Sequence, residues 1–208
     1  MELVRTLFDC GQESAGPALP EGLRELYAGD LHFPAIPVQR PLVMANFVST
    51  LDGVVSYEIR GQAGGSTISG SDPADRFIMG LLRASADGII VGARTVQDLS
   101  PESLWIPEYT YPDAKLLYTQ YRLNVLHQSE YPLLVIVSGS GRLELERAAF
   151  QTPGMRTVVI TTSDGKDELL RRGAKKLSSV EVCALNSSGG SIPPLSILRS
   201  TLITQSPA

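Results

Sequence analysis

The chain has 208 residues, 43% hydrophobic, 6% aromatic and 19% charged, which suits a soluble domain with a buried core and excludes a disordered or collagen-like chain. Its net charge of −4 gives no electrostatic reason to expect a nucleic-acid or anionic-membrane partner, so any bound phosphate must be held locally. No apolar run nears the roughly 20 residues of a membrane span, and MELVRTLFDCGQ lacks the apolar stretch of a secretory leader, so a cytoplasmic location is expected.

Residues 1–40 are punctuated by Gly and Pro (GQESAGPALPEG, FPAIPVQRP), with ELYAG the one helical turn, and read as a lead-in arm; residues 41–208 read as the domain proper. LVMANFV is apolar and rich in β-formers, which predicts a buried strand over Leu42–Val48. STLDGVVS follows, where Asp52 reads equally as an acid/base or anchoring carboxylate and as half of an Asp-Gly turn. IRGQAGGSTISGSD is expected to be loop and a candidate ligand surface.

DPADRFIMGLLRASA predicts a helix, with Ser71 or Asp72 as cap, Pro73 in the first position and Phe77, Ile78, Leu81 and Leu82 as its apolar stripe. Arg76, Gly80 and Arg83 recur at i, i+4 and i+7 and so share a face, which permits a clamp on a substrate phosphate; surface arginines at this spacing are also common. IIVGARTV then reads as strand, turn and helix start, placing Gly92 and Thr95 where backbone N–H groups and the helix dipole favour an anion, although an ordinary βα turn reads the same way.

Residues 100–131 hold the single tryptophan, Trp105, and several tyrosines and prolines, and their pattern assigns no element. Afterwards strands and helices alternate through PLLVIVSGSG, LELERAAF, RTVVITTSDG, DELLRRG, VEVCAL and PLSILRS, which demands crossovers and hence an α/β domain with a mostly parallel sheet flanked by helices. Ser138, Gly139, Ser140 and Arg142 of SGSGR offer hydroxyls, permissive backbone and a permanent cation, suited to a nucleotide phosphate, with a solvated turn as the plain alternative. Thr161, Thr162 and Ser163 repeat the strand-then-hydroxyl pattern, as ligand contacts or as a helix cap. Cys10 and Cys183 are far apart, the histidines are His32 and His127, and no spacing predicts a metal site.

In order, RPLVMANFVSTLDGVVS, GGSTISGSDPADRFIMGLLRASADGIIVGARTV, PLLVIVSGSGRL and RTVVITT resemble the pyrimidine reductase domain of bacterial riboflavin biosynthesis, which has a dihydrofolate-reductase-like fold. The resemblance runs over roughly residues 25–200, most specifically Arg40–Val96. It implies NADPH as cofactor and 5-amino-6-(5-phosphoribosylamino)uracil 5′-phosphate as substrate, reduced to the ribityl product. It implies cofactor contacts from Val48, Thr95 and the Ser138–Arg142 loop, joining Gly92 and Thr161 from the strand ends. Substrate contacts fall to Ser66, Arg76 and Arg83, and catalytic roles to Asn46, a hydrogen-bonding group where some members have lysine, and to Asp52 as an organiser of the site.

The chain departs from that family in three places. Thr67 stands where many members have tryptophan, Leu99 stands where an acid is usual with Asp98 beside it, and the chain ends at RSTLITQSPA where members continue into a strand closing on Glu-Gly-Gly. Leu202 and Ile203 are expected to begin that strand, with the last strands of the family fold missing. Two other readings remain open: a reductase of another heterocycle such as a pterin, and a non-catalytic nucleotide-binding relative. An open sheet edge also predicts a homo-oligomer, a dimer by resemblance.

Overall fold

The computed structural model describes residues 4, 17–31, 33, 41–57 and 65–185. Cys10, His32, Arg40, the helix expected over PLSILRS and the strand expected at Leu202–Ile203 lie outside them. The elements run α1 (Glu21–Tyr27), α2 (Ser66–Ser69), α3 (Pro73–Ser85), β1 (Gly88–Gly92), α4 (Ala93–Asp98), α5 (Pro107–Thr110), α6 (Lys115–Gln120), β2 (Leu133–Ser138), α7 (Ala148–Gln151), β3 (Thr157–Thr161), α8 (Ser163–Arg171) and β4 (Val180–Ala184). They fall into two compact units: Met1–Asp87 with Trp105–Pro132, and Gly88–Leu104 with Leu133–Ala208.

Among the described residues of the first unit the regular elements are all helices. Asp72 caps α3, its carboxylate accepting from the N–H groups of Ala74 (2.8 Å) and Asp75 (3.1 Å), and Pro73 follows where a missing N–H costs nothing. Such a cap contributes about 1 kcal/mol. Of the expected stripe, Phe77 and Leu81 are buried and Ile78 and Leu82 half-buried; Phe77, Leu81 and Ala84 pack with Leu19 and Leu23, the lead-in residues beside and within α1, and with Ala114, Tyr118 and Tyr121. Phe77 meets Tyr111 edge-on at 5.6 Å and Tyr118 face-on at 6.2 Å. Gly80 lies under the Tyr118 hydroxyl, where a Cβ would stand 2.6 Å from Oη and 3.0 Å from the Pro107 carbonyl, while that hydroxyl donates to Phe77 O at 3.0 Å.

Residues 100–131, unassigned by pattern, resolve into α5, a 3₁₀ turn over Pro112–Ala114, α6 and a π-helical turn over Tyr121–Val125. The π turn turns Arg122 inward. This guanidinium, 1% exposed, donates to Ala84 O (2.9 Å) and Ala86 O (2.7 Å) and, through Nε, to Ser129 O (2.8 Å), closing the carboxyl end of α3. Burial pulls its pKa down to about 10, against an opposing pull from Asp87, so it stays charged at neutral pH.

The expected strand over Leu42–Val48 does not form. Residues 41–57 carry no helix or strand, and Leu42, Val43, Met44 and Phe47 are exposed, Phe47 at 77%. β-forming side chains make a strand only where a neighbour takes up the backbone hydrogen bonds. Nearby, GGSTISGSD is not wholly loop, since α2 makes one helical turn inside it.

The second unit is a four-stranded, all-parallel sheet in the order β1-β2-β3-β4, as the strand-helix alternation predicts. β3 is buried along its whole length and β2 nearly so, because both have strands on either side and covered faces. Leu133, Val135, Val158 and Ile160 pack together, with Cys183 and Leu185 partly buried against them. The helix expected over LELERAAF shortens to α7. Before it, Leu143, Leu145 and Arg147 are buried while Glu144 and Glu146 are exposed, and a turn closed by Arg147 N–H donating to Glu144 O at 3.2 Å replaces the expected helix.

Arg122→Met keeps most of the side-chain volume but removes the donors to three carbonyls, and is expected to cost about 2–4 kcal/mol. Chemical denaturation followed by the single tryptophan, Trp105, which is buried in the same unit, reads this directly. An unchanged midpoint contradicts the role given to Arg122.

Candidate functional site

In a parallel sheet every strand ends on the same edge, and ligands collect beyond the carboxyl ends. Here Gly92 is in register with Val137, and Ser138 with Thr161, so β1, β2 and β3 deliver Gly92, Ser138 and Thr161 to one edge. The segment after β2, Gly139–Arg142, is the loop that the sequence marks for an anion. Gly139, Ser140 and Arg142 are exposed, while Ser138 and Gly141 are buried.

This loop is tied down on several sides. Gly141 N–H donates to Ser138 Oγ (3.1 Å) and Arg142 N–H to Ser140 Oγ (3.3 Å), two hydroxyl-capped turns in succession. Gln97 of α4 donates through Nε2 to Arg142 O at 2.6 Å. The Thr162 hydroxyl, at the head of α8, donates to Gly139 O (2.8 Å) and accepts from Gly165 N–H (3.1 Å).

Packing reinforces these bonds. Gly141 has φ +64°, and a Cβ there would run into the Gly165 carbonyl; a Cβ at Gly165 would run into Thr161 Oγ1 and stand 2.7 Å from Gly139 O. α4 is fixed in turn by Arg147, 8% exposed, whose guanidinium donates to Leu99 O (3.0 Å) and Gln97 O (3.1 Å) at the helix's carboxyl end and to Glu144 (2.8 Å).

Of the expected cofactor contacts, then, Gly92, Thr95, Ser138, Gly139, Ser140, Arg142 and Thr161 belong to one unit, at or just beyond one sheet edge. Thr95 is exposed in α4, two positions before Gln97. Thr161 is fully buried beneath the loop, its Oγ1 lacking a hydrogen-bond partner, so it supports the loop from below rather than facing solvent.

Val48, Asn46, Asp52, Ser66, Arg76 and Arg83 belong to the other unit. Asp52 is exposed at a tight turn, where it accepts from the Thr50 hydroxyl; Gly53 N–H donates to Thr50 O at 3.0 Å and Gly53 has φ +87°, the Asp-Gly turn read from the sequence. Asn46 Nδ2 lies 3.8 Å from Met79 Sδ, tying this stretch to α3. Val48 packs beside Gly65, the residue before exposed Ser66 at the start of α2.

Arg76 and Arg83 both reach along the α5 segment. Arg76 Nε donates to Thr110 O (2.7 Å) and Arg83 Nη1 to Ile106 O (3.3 Å). Burial pulls Arg83 down to about 10, partly offset by Tyr109, whereas Arg76 is exposed. The shared face predicted from the spacing is real, and α5 occupies part of it through the gap that Gly80 leaves.

Sequence reasoning marks Thr162 as a ligand contact or a cap and does not single out Gln97, Arg147 and Gly165. Their signal is faint: T-x-x-G at a strand-to-helix junction places a hydroxyl cap and a side-chain-free third helical position side by side. Among the described residues no group of His, Cys, Asp and Glu is arranged to hold a metal, and no helix is long and apolar enough to cross a membrane.

No curated protein sequence matches the chain. A pyrimidine reductase-like protein from Corynebacterium diphtheriae is similar in structure, with a TM-score of 0.49 and 21% identity over 76% of this chain, which spans 58% of that protein's length. Residues 41–198 match the family described as the RibD C-terminal domain, and this stretch takes in β1 to β4, the SGSGR loop and the arginine-bearing α3. The chain belongs to the RibD C-terminal domain family.

Proposed function

We propose that the chain is an NADPH-dependent reductase of riboflavin biosynthesis, acting on 5-amino-6-(5-phosphoribosylamino)uracil 5′-phosphate and yielding its ribityl product. Family membership supports the reaction class. The observation that carries the cofactor reading is the SGSGR loop, which presents an exposed guanidinium and the exposed Ser140 on an otherwise fixed backbone.

That donor set fits a phosphorylated dinucleotide. Arg142 offers a planar fork of N–H groups for a ribose phosphate, and the Ser140 hydroxyl, although its oxygen already accepts from Arg142 N–H, still has a proton to donate. Thr95 adds an exposed hydroxyl, and Gly92 leaves its surroundings open, since no atom lies within 4 Å of where its Cβ would be. Bound NADPH supplies the hydride; the protein's part is binding, orientation and proton management.

For the substrate, Arg83 is a cation steadied by the Ile106 carbonyl and Arg76 one steadied by Thr110, and both suit the phosphate of a phosphoribosyl group, with Ser66 donating to its polar atoms. Asn46 is assigned to the catalytic site as a hydrogen-bonding group and Asp52 as its organiser. The same residues suit a reductase of another phosphorylated heterocycle, which a substrate panel separates from the first reading.

A homodimer completes the proposal. Leu42, Val43, Met44, Phe47, Leu51, Val55 and Tyr57 lie exposed within one short stretch, and an apolar run of this kind commonly marks an association surface.

NADPH oxidation with the ribosylaminopyrimidine phosphate, followed by absorbance, is expected to proceed; none at saturating substrate contradicts the proposed reaction. Arg142→Ala is expected to raise KM for NADPH about tenfold or more while leaving use of NADH nearly unchanged, because only NADPH carries the extra phosphate. Equal effects on both cofactors contradict the phosphate role. Light scattering at high protein concentration is expected to give a dimer mass, and a monomer contradicts the association.

A further inference from the structure

We propose that Thr162, the cap of α8, and Gly165 within it, with Gln97 of α4, are positioning residues that set the shape of the Ser138–Arg142 loop for the cofactor. The proposal rests on the cofactor reading above and adds to it the residues that give the loop its form.

Loops that bind phosphates gain affinity when their donors are already in place, because the ordering cost is met on folding rather than on binding. A Gly-Ser-Gly segment is poorly suited to hold itself, since glycine has the most backbone freedom to lose. In this chain the holding comes from outside the loop. The Thr162 hydroxyl takes the Gly139 carbonyl at 2.8 Å, and Gln97 takes the Arg142 carbonyl at 2.6 Å, so two carbonyls flanking Ser140 are pinned by two different helices.

Gly165 makes the first of these possible. Its missing Cβ lets the loop backbone settle on the first turn of α8, where any side chain would meet Gly139 O and Thr161 Oγ1. The Gly165 N–H in turn holds the oxygen of the same Thr162 hydroxyl whose proton goes to Gly139. One hydroxyl therefore caps α8 and sets the loop. Pinning both carbonyls leaves the outward face, with Ser140 and Arg142, as the part available to a ligand.

The test measures NADPH affinity by titration calorimetry and amide hydrogen exchange over residues 138–142 in the full chain, for the wild type, Thr162→Val, Thr162→Ser, Gly165→Ala and Thr157→Val. Thr157 is the control: it lies at the other end of β3, and its hydroxyl donates to Ala149 O at 2.9 Å in a fully buried bond, so its loss destabilises at least as much while lying far from the loop. Thr162→Val is expected to weaken NADPH binding about tenfold and to speed exchange in the loop, the effect of losing the partly buried bond that holds Gly139 O. Thr162→Ser is expected to restore most of both, Gly165→Ala to weaken binding at least as much, and Thr157→Val to leave both near wild type.

If the wild type binds NADPH and Thr162→Val binds equally well, the positioning role is overturned while the cofactor reading stands. A loss of affinity shared equally by Thr157→Val also overturns it, because that is general destabilisation. If the wild type binds no NADPH, the cofactor reading falls and the positioning role falls with it.

Discussion

The contact on which the candidate site depends is the meeting of the loop after β2 with the first turn of α8. A threonine hydroxyl placed between a helix N-terminus and a loop carbonyl, and two glycines facing each other without Cβ atoms, bring backbone within reach of backbone. Each hydrogen bond is worth only about 1 kcal/mol, but the close backbone approach leaves no room for a Cβ at Gly141 or Gly165, so the arrangement is specified more strongly than its net energy suggests. Around it the parallel register brings Ser138 level with Thr161, which fixes the heights at which the loop and α8 begin.

The same economy recurs wherever an arginine is buried. Arg122 closes the end of α3 and Arg147 the end of α4, each satisfying helix carbonyls that have no partner within their own helix. Arginine suits this work because its fork of donors reaches several carbonyls at once and remains charged even when burial lowers its pKa. In α4 the consequence reaches the candidate site, since Arg147 steadies the helix that carries Gln97 onto Arg142 O. Stability and the proposed cofactor binding therefore share the same bonds.

Much of this was legible in the sequence, for physical reasons that differ by element. α3 announced itself through cap, proline and stripe, all local signals, and β2, β3 and β4 through short apolar runs in strict alternation with helices. The apolar, β-forming run Leu42–Val48 predicts a strand from propensity alone, which says nothing about whether a partner strand is there to pair with it. The Ser100–Tyr131 segment was illegible because its order comes from Tyr118 and Arg122 reaching distant carbonyls, not from a period along the chain. At the candidate site, the exposed residues Gly92, Thr95, Ser140 and Arg142 could be read from strand-end position and chemistry, while Gln97 and Gly165 could not, because a glutamine or a glycine carries no chemical signature until its neighbours are known.

The central claim is that this chain holds NADPH on a loop shaped before the cofactor arrives. Hydrogen exchange of the wild-type chain with and without NADPH tests it most directly. The account predicts slow exchange at Gly141 and Arg142 in the free protein, further slowing at Gly139–Arg142 and around Gly92–Thr95 when NADPH is added, and little change along α8. Rapid exchange throughout the free loop, or no response to NADPH at this sheet edge, would contradict it.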